Sequence, residues 1–171
     1  MPTSHAALTE LQLTRTPGDR RLYALEGVGT LRLTGWASRA GTAQAGALSW
    51  QFKRRGLWQR GIEATDAAGA VVGEYEGRAL RRGGTLRWSD RELALRPDSG
   101  WRQRYAVVDG GRQLATIEGK SWGKSPVSIA VNEDVAIDPG LLLFAAFVVR
   151  ALAQDAAAAS SATGSTVVVS S

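Results

Sequence analysis

The chain has 171 residues, no cysteine, one histidine (His5) and a formal net charge of +5. That length suits one domain. The lack of cysteine excludes disulfides, thiolate zinc sites and cysteine nucleophiles, and any histidine metal cluster or Ser-His-Asp triad would rest on His5 alone.

Residues 1–7 read as a loose N-terminus without the basic and apolar regions of a secretory signal. A cytoplasmic location is the expectation, in keeping with the lack of cysteine. From residue 8 to 131 the pattern is short strands broken by turns. Thr30-Leu31-Arg32-Leu33-Thr34 and Leu48-Ser49-Trp50-Gln51-Phe52 alternate, so their apolar residues fall on one side of a sheet. Pro17-Gly18-Asp19, Gly27 with Gly29, and residues 39–46 carry turn signals. Residues 61–65 and 70–75 read as a hairpin across Asp66–Gly69, and residues 101–108 and 113–118 as another across Asp109-Gly110-Gly111. The two hairpins resemble each other at an offset of 42 to 43 positions: Ala64-Thr65-Asp66 matches Val107-Val108-Asp109, and Glu76-Gly77-Arg78 matches Glu118-Gly119-Lys120.

Residues 141–153, LLLFAAFVVRALA, are the most apolar run. Asp138 suits an N-cap and Pro139 the first helical position. A helix apolar all round is either buried or in a membrane. This run falls short of the about 20 residues a span needs, so a core helix over about 139–155 is expected, emerging into water at Arg150 and Asp155. Residues 8–159 form the domain. Residues 160–171 read as a mobile tail, with a docking strand at Val167–Val169 as the alternative.

Together these elements define a mostly β fold. It is a closed or nearly closed antiparallel β-barrel of about 10–12 short strands around a buried hydrophobic C-terminal helix. Arg104-Tyr105-Ala106-Val107-Val108-Asp109, then Leu114 to Lys120, then the stretch from Asp138 to Ala153 resemble the tubby C-terminal-like superfamily. The LURP-one-related and phospholipid-scramblase-like branch is the most similar. That resemblance implies a barrel of about twelve strands round a C-terminal helix. The acidic calcium segment and longer membrane-inserting helix of scramblase-type members have no counterpart here. Tubby proteins bind phosphoinositides through basic residues, but no motif maps those residues onto this chain.

Two basic clusters are the candidate site. Lys53, Arg54 and Arg55 form one, with Arg60 close by; Arg78, Arg81 and Arg82 form the other, joined by Lys120 and Lys124 at the matching place in the second hairpin unit. If these connections meet at one end of the barrel, they form an anion-binding rim. Trp58, Trp88 and Trp122 lie near them in sequence, and tryptophan beside basic residues suits a membrane interface or single-stranded nucleic acid. The expected function is a non-enzymatic binding module at an anionic phospholipid surface or another anionic ligand. The alternative is a structural or protein-interaction domain. Nucleic acid is the disfavoured partner, no cofactor is implied, and no transmembrane span is expected. Glycine motifs for phosphate are absent: Gly119-Lys120-Ser121 lacks the first P-loop glycine. Glu74 with Glu76, and Glu133 with Asp134, read as solvated charges.

Overall fold

The computed structural model describes residues 7–35, 39–56, 61–78, 82–98, 100, 103–120 and 123–163. Twelve strands run in chain order: β1 (Leu8–Arg15), β2 (Leu22–Leu25), β3 (Gly29–Thr34), β4 (Ala40–Ala45), β5 (Leu48–Arg55) and β6 (Gly61–Asp66). Then come β7 (Val71–Gly77), β8 (Gly84–Trp88), β9 (Arg91–Pro97), β10 (Arg104–Asp109), β11 (Arg112–Gly119) and β12 (Val127–Asn132), followed by helix α1 (Pro139–Thr163). Each strand pairs antiparallel with its chain neighbours, and β1 pairs with β12 from Leu8↔Asn132 to Leu13↔Val127, closing the barrel. Closure leaves no free sheet edge.

Period-two alternation builds the wall. Trp50 and Phe52 of β5 turn inward while Gln51 and Lys53 turn out. Leu31 and Leu33 do the same in β3. Bore width grows with strand number, and here the bore is filled by α1. Phe144 packs on Phe52 and Trp88 with ring centroids 5.2 and 5.6 Å apart, and Phe147 packs on Phe52 at 5.5 Å. Every residue from Leu141 to Ala151 is buried, as an all-apolar helix requires. The Asp138 carboxylate accepts from the Gly140 and Leu141 amides at 2.7 and 3.3 Å, which is the expected N-cap.

Glycine lets the helix approach the wall. A β-carbon on Gly119 would lie 2.9 Å from the Val149 carbonyl oxygen, and one on Gly140 would lie 2.5 Å from Trp88 and 2.7 Å from Trp50.

The helix departs from expectation at two points. Arg150 does not mark emergence into water: it is 9% exposed, because the wall continues past it. The helix also runs to Thr163, not to about 155, so residues 160–163, expected within the tail, are helical. The alanines at 156–159 favour helix, and the Ser160 and Ser161 hydroxyls donate to the carbonyls four residues back. The rest of the expected tail, residues 164–171, with the alternative docking strand at 167–169, and the N-terminal residues 1–6 lie outside the described residues. By length and apolarity, residues 139–162 could cross a bilayer, but 61% of the apolar stretch is enclosed by the barrel.

The internal repeat has a structural counterpart. The β6–β7 register slips between Ala64 and Thr65, and the β10–β11 register slips between Val107 and Val108. These are the positions the sequence aligns. Val72 and Leu114 are the residues skipped in the pairings; they are 42 positions apart, against 43 for the slip positions.

Candidate functional site

In an up-and-down meander, successive connections alternate between the two ends of the barrel. Here the alternation separates short from long. The turns after β2, β4, β6, β8 and β10 span two to four residues. The connections after β1, β3, β5, β7, β9 and β11 span five to seven. The helix enters at the turn end, where Gly140 meets Trp50 and Trp88, and leaves at the loop end, where Val149 and Ala153 meet Gly119.

Charge follows the same division. Glu10, Glu26, Asp66, Asp90, Glu92, Asp109, Glu133, Asp134 and Asp138 belong to the turn end, and the described basic residues there are Arg87, Arg91 and Arg112. At the loop end the described basic residues are Arg15, Arg20, Arg21, Arg39, Lys53, Arg54, Arg55, Arg78, Arg82, Arg96, Arg104, Lys120, Lys124 and Arg150. The carboxylates at that end are Asp19, Glu76, Asp98, Glu118 and Asp155. Arg32, Glu63 and Glu74 fall between the two. The net charge is therefore the sum of an acidic end and a strongly basic one.

The described residues of the basic clusters named from sequence belong to the loop end, but their side chains have different surroundings. Lys53, Lys120 and Lys124 are exposed and make no ion pair among the described residues. Arg54 is on the inward face of β5 and binds the helix: its Nη1 lies 2.8 Å from Asp155 Oδ1, and its Nη2 donates to the Ala151 carbonyl at 3.0 Å. Arg55 points outward and bridges Glu63 and Glu74, and these hydrogen bonds hold its pKa above the ordinary arginine value. Arg82 donates to the Gly100 carbonyl at 3.1 Å and lies over the Tyr105 ring, 5.5 Å from its centroid. Arg78 is exposed at the end of β7. Arg81 and Arg60 lie outside the described residues, as do Trp58 and Trp122. Trp88 is at the turn end in the core and not near the basic clusters.

Arg150 is a further cation at the loop end. Burial, and then the nearby Arg54 charge, pull its pKa below the ordinary arginine value, while Tyr23 acts in the opposite direction. Its Nη1 donates to Gln154 Oε1 at 3.2 Å, and no carboxylate pairs with it among the described residues.

The sequence reading missed one feature. Residues 16–21 join β1 to β2, and Thr16-Pro17-Gly18-Asp19 closes a turn with the Asp19 amide donating to the Thr16 carbonyl at 3.3 Å. Proline at the second position and glycine at the third, with φ of 83°, fit a type II turn. The Arg15 amide donates to the Lys124 carbonyl at 2.9 Å, bringing the β11–β12 connection against this turn. A cleft of about 360 Å³ lies between them, lined by Arg15, Thr16, Pro17, Gly18, Asp19, Arg20 and Lys124. Asp19 accepts from the Arg21 amide at 2.9 Å and from Arg32 Nη1 at 2.8 Å. Those two bonds, in that order, hold its carboxyl below the ordinary carboxylate range. The signal in the sequence was RTPGDRR, a turn flanked by cations on both sides.

Glu74 is tied to Arg55 and Arg87, and no group of three or more His, Asp or Glu suited to a metal occurs among the described residues. Comparison with known proteins gives no match to a family model, a curated protein or a solved structure. Fold and site together define a class in structural terms: a closed twelve-stranded barrel threaded by an apolar helix and basic at the helix-exit end.

Proposed function

We propose that the loop end docks the protein on an anionic phospholipid surface, and that the chain is a non-enzymatic, peripheral binding module of the cytoplasmic face. The observation that carries this reading is the segregation of charge between the two ends of the barrel. A molecule basic at one end and acidic at the other turns its basic end toward a negative surface before contact. Exposed Lys53, Lys120 and Lys124, free of carboxylate partners among the described residues, supply mobile cations. The alanine-rich end of α1 emerges at the same end. We also propose kinship with the tubby C-terminal-like proteins, supported by the barrel, its strand number and its central C-terminal helix.

Co-sedimentation with phosphatidylcholine vesicles carrying rising phosphatidylserine tests the docking reading. Binding should rise with anionic lipid and fall with salt. Each of Lys53→Gln and Lys120→Gln should weaken it about fivefold, the equivalent of about 1 kcal/mol per cation near the surface. Binding that ignores both salt and these substitutions would remove the reading. Arg54, Arg55 and Arg82 are poor test positions, since each is bonded to the barrel or helix.

A second reading, a protein-interaction domain, draws on the other end. Among the described residues, the exposed large apolar side chains are Leu8, Leu48 and Val71, and each begins a strand at the acidic turn end. It gains weight if vesicles are not bound at any lipid composition.

A further inference from the structure

We infer that the cleft between residues 16–21 and Lys124 is a binding site for a phosphate monoester. This rests on the anionic-surface reading of the loop end and narrows it to one pocket and one ligand chemistry.

Three cations line the cleft, Arg15, Arg20 and Lys124, and none makes an ion pair among the described residues. Three cationic residues around one concavity, with no carboxylate paired to them among the described residues, raise its positive potential and so favour an anion there. The carboxylate in the lining, Asp19, is engaged by Arg32 and the Arg21 amide and held ionised. That pairing neutralises its charge, so the cleft as a whole is positive.

Residue type and size narrow the ligand. Two guanidinium groups offer planar forks that match phosphate oxygens, and the lysine adds a compact charge. A monoester dianion meets three cations better than a diester monoanion does. At about 360 Å³ the cleft exceeds a bare phosphate and lies at the small end of ligand pockets. It has room for phosphate plus a small organic group. The type II turn keeps the site open on one side, since Gly18 has no side chain and a β-carbon there would meet nothing within 4 Å.

Such a group occurs on soluble metabolites and on lipids with a terminal phosphate. Titration of labelled protein with glycerol 3-phosphate, followed by the amide resonances of Gly18 and Lys124, reads the soluble form. Vesicles containing phosphatidic acid, compared with charge-matched phosphatidylserine vesicles, read the lipid form. Saturable shifts at both amides, lost about tenfold or more in affinity in Arg15→Gln/Arg20→Gln and in Lys124→Gln, are expected. A preference for phosphatidic acid that the same variants abolish is expected of the lipid. Shifts without binding to any vesicle would keep the cleft and remove the membrane reading. Equal binding to both vesicle types, unaltered in the cleft variants and with no glycerol 3-phosphate shifts, would overturn the cleft and leave general docking intact. Melting temperatures of the variants separate lost binding from lost fold.

Discussion

Arg54 on β5 and Asp155 on α1 meet at the barrel mouth, 2.8 Å apart, and the same guanidinium donates to the Ala151 carbonyl. One wall residue thus fastens the helix where it leaves the barrel. The ion pair is worth little, because Asp155 is largely exposed. The bond to the carbonyl is charge-assisted and half-buried, and contributes more. Arg54→Met should cost about 1–2 kcal/mol, and Asp155→Asn clearly less. Chemical denaturation of the two variants checks the order; equal losses would assign the effect to the ion pair.

Arg150 presents the opposite case. It is a desolvated cation with a glutamine for company. Its folded-state pKa is lowered, so the charged form is less favoured folded than unfolded, and this penalty persists at every pH below that pKa. Arg150→Met keeps the volume and removes the charge. A melting temperature equal to or above that of the parent at neutral pH is the expected result. A fall equivalent to 2 kcal/mol or more, on the order of a lost buried partner, would mean that Arg150 has a stabilising role not visible in its contacts.

The helix core tolerates no charge. Phe144→Asp or Phe147→Asp would bury an unpaired carboxylate among Phe52, Trp88 and the inner wall, at a cost of several kcal/mol. The domain as a whole should lose its cooperative melt. A melt near the parent temperature in calorimetry would contradict the threaded-helix architecture.

Gly119→Ala probes the fit of helix to wall. The new methyl would sit 2.9 Å from a helix carbonyl and 3.0 Å from Val149 Cγ1. Overpacking of this kind costs about 1–3 kcal/mol. Urea unfolding should show a lower midpoint, while Gly100→Ala, where a β-carbon meets nothing within 4 Å, should not.

Acid sensitivity has a local source in Asp19. Its folded-state pKa is depressed, so its contribution is present above the ordinary carboxylate pKa and is lost as pH falls through the lower folded value. Asp19→Asn should flatten the stability profile below about pH 4. Melting curves of both proteins across that range make the comparison; parallel profiles would show that the Arg32 and Arg21 bonds contribute nothing.

Strands, cap and core helix were legible because each has a local cause. Leu31 with Leu33 and Trp50 with Phe52 alternate, Asp138-Pro139 caps, and residues 141–149 have no polar face. The basic clusters were legible as composition, since Lys53-Arg54-Arg55 and Arg78-Arg81-Arg82 are contiguous or nearly so. What each cation does was not. Arg54 and Arg55 are adjacent, yet the pleat sends one to the helix and the other to Glu63 and Glu74. Arg150 read as the exit to water because a charge in an apolar run suggests a boundary, and sequence cannot say how tall the surrounding wall is. The cleft was hidden for another reason. Arg15 and Lys124 are 109 positions apart and meet through the closure of β1 on β12.

That closure also sets an order of events during synthesis. β1 leaves the ribosome early, but one of its two partners, β12, is made more than a hundred residues later, and α1 follows β12. Until then any sheet that forms has two unpaired edges and an apolar face open to water, the kind of surface that invites association between chains. Loop-closure entropy makes such long-range pairing slow. The bore cannot fill before the last apolar segment is available, so the protein should depend on chaperones for most of its translation and gain its protease resistance abruptly once residues 141–153 are free. Slowing elongation through those codons should lengthen the vulnerable period, whereas slowing it earlier should matter little.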